Sequence, residues 1–446
     1  MRRHWRQDIE LNSQAAHLND QLPPRILSML STKGKAIYFP NEGILAQSAA
    51  ARGCRINGTI GIALDESGEP LHLSGLNDMV GLAPGEAFPY TSSYGKPALR
   101  DRWLEMLLEK NPSLEGLSLS RPVVTNALTH GLSVTASLFG DAGDRLIMPD
   151  RFWGNYALVF NHGFGVRLQT YSTFHGAGFH VDGLRNALGM GPPGKRLVLL
   201  NFPNNPTGYT CTEREADQIV EVLVASADQG CDLVVIVDDA YFGLVYEPGI
   251  LKESIFARLA AAHPGLLAVK VDGATKEDFA WGYRVGFITF GYGGADQNSL
   301  DVLADKAAGT VRGSISNASH LSQSLILSAY NAPDYPGWKA RTSQVLRTRY
   351  ETVRHILNSH PEYAKSFTPE PFNSGYFLCV RPVGVRPEQV RQILVEDFDT
   401  GVITVGDLIR IAYSSVACKH LPTLFENLHA AIGHLQDSQV DDLSSP

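Results

Sequence analysis

The sequence predicts an α/β fold: a mostly parallel, seven-stranded sheet sandwiched by helices, with a smaller α+β region after it. Three observations carry this. Short runs of aliphatic and β-branched residues recur between positions 122 and 291. Stretches with apolar residues at helical spacing lie between several of them. After about residue 330 that alternation stops, and the elements become fewer and segregated. Strands alternating with helices imply crossover connections, which make neighbouring strands parallel and cover both faces of the sheet.

The elements follow in order. PVVTNA (122–127) reads as a strand and THGLSVTASLFG (129–140) as the helix after it. DRLIMPD (144–150) is the next strand, and WGNYALVFNHG (153–163) a short helix. GVRLQTY (165–171), KRLVLLNF (195–202), DLVVIVD (232–238) and LLAVKVD (266–272) are strands by their β-branched content. EREADQIVEVLVASA (213–227) separates KRLVLLNF from DLVVIVD and has helical periodicity. YRVGFITFG (283–291) is the seventh strand, and GMGPPGKR (189–196) a surface loop. Further on, residues 340–360 form a long amphipathic helix, 375–381 a strand, 387–398 a helix and 407–414 a strand. The division expected is 1–75 as a segment serving the small domain and a partner, 76–330 as the large domain, and 331–446 as the small domain. Residues 1–75 read as irregular, and the polar tail DSQVDDLSSP (437–446) as frayed.

Composition excludes several classes. The 446 residues carry 38 basic and 46 acidic side chains, a net charge of -8. No Lys/Arg block offers a footprint for nucleic acid. No apolar run is long enough to span a membrane. The N-terminus, MRRHWRQDIELN, is basic but has no apolar segment behind it, so it does not read as a secretory signal. The cysteine count is five, odd and scattered, with no CxxC, which supports neither a disulfide scaffold nor a metal site. A reduced, cytoplasmic enzyme is the expectation.

In open parallel sheets, ligands bind beyond the carboxyl ends of the strands. KRLVLLNF runs into Asn204-Asn205-Pro206-Thr207-Gly208, and DLVVIVD into Asp238-Asp239-Ala240-Tyr241. LLAVKVD runs into Ala274-Thr275-Lys276 and then Gly282-Tyr283-Arg284. PVVTNA runs into Leu128-Thr129 at a helix start. Polar and charged groups thus gather at one edge of the sheet.

These motifs, in this order and spacing, resemble the aspartate aminotransferase family, the fold type I pyridoxal-phosphate enzymes of aminotransferase class I/II. FWGNY (152–156), YTSSYGKPALR (90–100) and LIRIAYS (408–414) fit as well, and the likeness spans roughly residues 40 to 435. The resemblance implies pyridoxal 5′-phosphate held covalently by Lys276, which then serves as general base at the substrate Cα. It implies Asp238 against the pyridine nitrogen, and Asn205 and Tyr241 as donors to the ring oxygen. Trp153 would stack on the ring. Arg284, Thr129 and the backbone N–H groups of Ala127 and Leu128 would hold the phosphate, with Thr275 beside Lys276 in the cofactor shell. Arg410, with Asn205, would bind the α-carboxylate of the substrate. Tyr90 would reach the phosphate of a second subunit, implying a homodimer with shared sites. Arg312, in RGSISNAS (312–319), resembles the arginine that a partner supplies for a distal carboxylate.

The activity implied is ping-pong transfer of an amino group from an L-amino acid to a 2-oxo acid through pyridoxamine phosphate. Aspartate, glutamate or an aromatic amino acid would be the donor. A β-eliminating C–S lyase, or an oxidase or cyclase of a specialised pathway, would use the same residues. A non-catalytic cofactor-binding regulator is the alternative from another class. Two positions depart from the family pattern: Ala127 and Gly273 stand where a hydroxyl or glycine, and a serine, are common.

Taken singly, these features have plainer readings. NPTG is a turn sequence, Asp238-Asp239 can cap the next segment, and a lone lysine is usually solvated. Asn57–Gly61 can face the substrate or form a hairpin turn. Asn373–Tyr376 can line the pocket or only turn the chain. His130 reads as structural. The glycines near 163 and 291 make no GxGxxG between strand and helix, so no dinucleotide site is expected.

Overall fold

The computed structural model describes residues 12–37, 43–76 and 79–444. Most of the basic N-terminal stretch, read as no secretory signal, lies outside the described residues, as do positions 445 and 446.

The seven strands form one sheet. They are β1 (Val123–Asn126), β2 (Arg145–Pro149), β3 (Arg167–Tyr171), β4 (Lys195–Asn201), β5 (Asp232–Asp238), β6 (Leu266–Gly273) and β7 (Val285–Tyr292). Their spatial order is β1-β7-β6-β5-β4-β2-β3. Pairings from β6 through β5, β4 and β2 to β3 are parallel, and β7 runs antiparallel to both its neighbours. The carboxyl ends of β1, β4, β5 and β6 therefore meet the amino end of β7 at one edge. The register is tight there: Asn201 faces Asp238, Gly286 faces Gly273, and Val285 faces Asn126.

Both faces of the sheet are buried, as the aliphatic runs require. Along β4, Leu197 and Leu199 enter one apolar cluster, while Val198 and Leu200 enter another on the opposite face. Helix Glu213–Asp228 covers the second face with Ile219 and Leu223. It starts sharply because Thr212 and Glu215 form a reciprocal capping box.

A second, antiparallel sheet contains β8 (Phe367–Pro369), β9 (Phe377–Pro382), β10 (Ile403–Val405) and β11 (Leu408–Ala412), in the order β8-β9-β11-β10. The long helix Tyr335–Ser359 packs its buried face with this sheet in the first cluster. The N-terminal segment contacts the same region through a separate two-stranded sheet, in which Ile56–Asn57 pair in parallel with Thr400–Gly401.

Three local readings change. Residues 153–163 wind partly as a π-helix, Ala157–His162. Among its described residues, the segment read as irregular contains four short helices, Ser13–Asp20, Pro24–Met29, Thr32–Ala36 and Ile44–Ala50. The described part of the tail does not fray after 437, since helix Leu421–Ser444 continues to 444. Among the described residues, no helix is long and apolar enough to cross a membrane.

Behind the functional edge lies a buried charge cluster. Lys270 pairs with Asp239 and sits 3.0 Å from Asp272, whose other oxygen accepts from Trp103 Nε1 at 3.2 Å. All three charged side chains are almost fully enclosed. Lys270→Met should cost about 3–5 kcal/mol in urea unfolding, because two buried carboxylates lose their cation. Burial already pushes the Asp239 carboxyl up to about 6. Without the lysine it would rise further and take up a proton on folding. The loss should therefore be smaller at pH 5 than at pH 8. A loss below about 1 kcal/mol at pH 8 would show that the cluster does not act this way.

Candidate active site

Each strand end presents its residues for a local reason. In the turn after β4, the Asn204 side chain accepts from Thr207 N–H at 3.1 Å and Thr207 Oγ1 at 2.8 Å. Gly208 closes the turn at φ +75°, and a Cβ there would lie 1.9 Å from the Phe377 carbonyl. The turn thus docks directly on β9, which places Asn205 beside Arg410 of β11. Asn201 fixes it from the other side, accepting from Asn205 N–H at 2.8 Å and donating to the Asp238 carbonyl at 2.8 Å.

At the other end, β1, β6 and β7 approach closely. A Cβ at Gly273 would lie 2.5 Å from the Val285 carbonyl, so a serine cannot stand there without displacing backbone. This is the physical reason for one departure from the family pattern. Ala127 and Arg284 both sit in the left-handed region, at φ 61° and 56°. Such strain in non-glycine residues clusters at functional sites.

A cavity of about 350 Å³ lies at this edge. The structure brings Lys276, Asp238, Tyr241, Asn205, Thr275 and Arg284 to its walls, together with Ala127, Leu128, Thr129, Trp153 and Arg410. Tyr90 and Arg312 are not among them. Tyr90 is 91% exposed, and Arg312 is exposed at the last turn of helix Gln297–Ser314, with Nη1 3.2 Å from Ser316 Oγ.

The electrostatics are those of a reactive site. Burial raises the Asp238 carboxyl above its usual range, opposed by a hydrogen bond from Tyr156 and by the Lys276 charge. Tyr156 Oη donates to Asp238 Oδ2 at 2.7 Å, and Ala240 N–H donates to Oδ1 at 3.1 Å. Burial lowers the Lys276 amine; Asp238 opposes this and Arg284 adds to it. The Lys276 carbonyl accepts from Tyr376 Oη at 3.1 Å, and Nζ lies 5.1 Å from the Tyr241 ring centre.

Arg410 is the most telling group. It is 3% exposed, yet it forms no ion pair among the described residues. Its Nη1 donates to Asn205 Oδ1 at 3.4 Å and Nη2 to the Thr59 carbonyl at 3.2 Å, while Nε has no partner. A buried cation without a carboxylate is costly unless an anionic ligand completes it. Thr275 Oγ1 is also enclosed in the cavity wall without a partner.

Two residues escaped the sequence reading. Tyr156 lies within FWGNY, but only the tryptophan of that motif drew attention. Asn201 ends β4 and looked like an ordinary strand residue. Tyr156→Phe should lower kcat roughly tenfold or more, the size of a hydrogen bond to a charged group. Removing the donor raises the Asp238 pKa further, so activity should fall off at higher pH on the acid limb. A pH–rate profile superimposable on wild type would refute that role.

The open readings resolve as follows. Thr59, Ile60 and Gly61 line the cavity, and Asn57–Gly58 form no hairpin. Asn373–Tyr376 does not line it; Tyr376 instead holds the Lys276 turn. His130 stands behind the cavity wall, accepting from Asn126 N–H at 3.1 Å, with Nε2 3.0 Å from Ser314 Oγ.

Strand order, crossover helices and a cavity at the carboxyl edge give the molecule the α/β architecture of fold type I. The chain belongs to the aminotransferase class I and II family, whose model matches residues 75–425. It is 25% identical over 351 residues to an aspartate aminotransferase of Geobacillus stearothermophilus, covering 72% of this chain and 78% of the relative. An aminotransferase structure from Anaerococcus prevotii superposes with a TM-score of 0.78 at 21% identity, covering 90% of this chain and 98% of the other. An aromatic amino acid aminotransferase from Burkholderia cenocepacia gives 0.72 at 19% identity, covering 89% and 98%. At these identities the structures speak for the fold alone.

Proposed function

We propose that the protein is a pyridoxal-phosphate-dependent aminotransferase exchanging an amino group between an L-amino acid and a 2-oxo acid. The observation that carries this is a single cavity walled by a desolvated amine, a buried carboxylate and an unpaired, buried arginine. The chemistry of the walls fits the cofactor. Lys276 would hold it covalently, Asp238 would face its ring nitrogen, and Trp153 would cover the ring. Asn205 and Tyr241 would donate to the ring oxygen. Arg284, Thr129 and the N–H groups at Ala127 and Leu128 would hold the phosphate at the start of helix Ala127–Phe139, with Thr275 completing the shell. When bound, pyridoxal phosphate supplies an electrophilic carbon and a ring that accepts electrons.

The protein's own residues do the rest. Arg410, with Asn205, receives the substrate carboxylate and turns its Cα toward Lys276. The depressed pKa of Lys276 favours the free amine, which moves the proton at Cα. Asp238, whose charged form Tyr156 and Ala240 N–H favour against the effect of burial, would stabilise positive charge opposite it. Ile44 and Ile60 enclose the cavity on the N-terminal side. Amino acid in and oxo acid out, then the reverse, makes the kinetics ping-pong. In this proposal residues 1–75, 76–330 and 331–446 are the three structural parts, and a second copy brings Tyr90 and Arg312 to the neighbouring site in a homodimer. Of the donors considered, a dicarboxylate needs that Arg312, whereas an aromatic one needs only room.

The test is a visible spectrum of the purified protein, with amino acids added singly and no acceptor. Conversion of the cofactor band to the amine form, with release of one 2-oxo acid, is the expected result. Ammonia release or peroxide formation would overturn transamination. No cofactor band after adding pyridoxal phosphate would overturn the whole reading.

A further inference from the structure

A second cavity, of about 670 Å³, adjoins the first. The two share Ile44, Trp153, Asn205 and Arg410 as walls. A substrate anchored by its carboxylate on Arg410 therefore has this space beside it. Phe152, Leu158, Pro206 and Val405 give the space apolar walls. Its charged walls are already engaged. Arg151 Nη1 lies 3.0 Å from Asp407 Oδ1. The Asp150 carboxylate accepts from Thr173 N–H at 2.9 Å and Oγ1 at 2.7 Å. Beyond Arg410 itself, the described walls offer a second carboxylate no unpaired cation, so it would shed water without gaining a counter-charge. An aromatic or branched aliphatic group gains by leaving water for the same walls.

Three wall positions carry no side chain: Gly43, Gly154 and Gly406. Gly43 and Gly406 sit at φ +85° and +58°, where a side chain would be strained, whereas Gly154 has no such constraint and a Cβ built on it would have nothing within 4 Å. A larger residue is therefore tolerated sterically at 154, in the wall of this space.

We propose that this second cavity is the donor's side-chain subsite, that it takes a large uncharged side chain, and that Gly154 sets the size it accepts. The proposal rests on the aminotransferase reading and selects among its donors. Arg312 lies outside both cavities of this chain, so a dicarboxylate preference is the competing outcome.

The experiment measures the half-reaction of the holoenzyme with alanine, leucine, phenylalanine, aspartate and glutamate, each without acceptor. Leucine or phenylalanine should exceed both alanine and the dicarboxylates by about tenfold or more in second-order rate. Gly154→Leu should cut the phenylalanine-to-alanine ratio by about tenfold. Gly154→Ala should cut it less, and serves if the leucine variant does not fold. Aspartate or glutamate reacting as fast as phenylalanine would overturn the subsite and leave the aminotransferase reading intact. A ratio unmoved in a folded variant would also overturn it. If cofactor is bound and no donor reacts, the aminotransferase reading itself falls.

Discussion

Lys276→Ala should lower turnover on the order of 10⁴-fold or more, because in the proposed function one amine serves both as cofactor anchor and as base at Cα. Nothing nearby can replace it. Lys270 is sealed with Asp239 and Asp272, and the other basic groups at the cavity are guanidiniums with no free base at neutral pH. The variant should fold, since the Lys276 turn is held by its carbonyl through Tyr376, not by its side chain. A readout independent of activity is available. Borohydride reduction of the holoenzyme should add the cofactor's mass to the peptide containing Lys276 and leave the variant unlabelled. A variant that still turns over many equivalents would sink the assignment.

Asp238→Asn should lower kcat by about 10²–10³-fold, the usual cost of removing a preorganised charge from a reacting centre. The amide has nearly the same shape, and its oxygen can still accept from Tyr156 or Ala240 N–H. Burial already disfavours the Asp238 charge, so a neutral residue should cost the fold little. Activity falling while urea stability holds within about 1 kcal/mol separates a role at the ring nitrogen from a structural one. Activity within a factor of a few of wild type would contradict the role.

Much of this was legible beforehand because its causes are local. A sheet buried on both faces needs continuous aliphatic runs, and all seven runs became strands of one sheet. Asp238, Lys276 and the NPTG turn stand where strands end, so a reading of strand ends finds them. What was missed depends on long-range geometry. Tyr156 matters because its hydroxyl reaches a carboxylate 82 residues away, and no local pattern records that. Asn57-Gly58 has hairpin composition, but its partner is Gly401, in a parallel pair that only the folded chain reveals. The antiparallel sense of β7 is equally invisible in its composition. It explains why Arg284 precedes its strand, whereas Asp238 and Lys276 lie at or beyond the ends of theirs. The polar tail misled because helix Leu421–Ser444 gains support from apolar residues near its start, such as Leu424, Phe425 and Leu428.

The wall around Arg410 is assembled from distant parts of the chain: Thr59 from near the beginning, Asn205 from the middle, and Arg410 from near the end. A ribosome delivers these in sequence. Asp238, Lys276 and Arg284 are all made before Arg410, and more than a hundred residues separate Arg284 from it. At about 5–20 residues per second that interval is on the order of ten seconds. Throughout that interval the chain lacks Arg410, and for most of it Tyr376 and Phe377, against which the Lys276 and Asn205 turns dock, so the walls of the cavity close only late in synthesis.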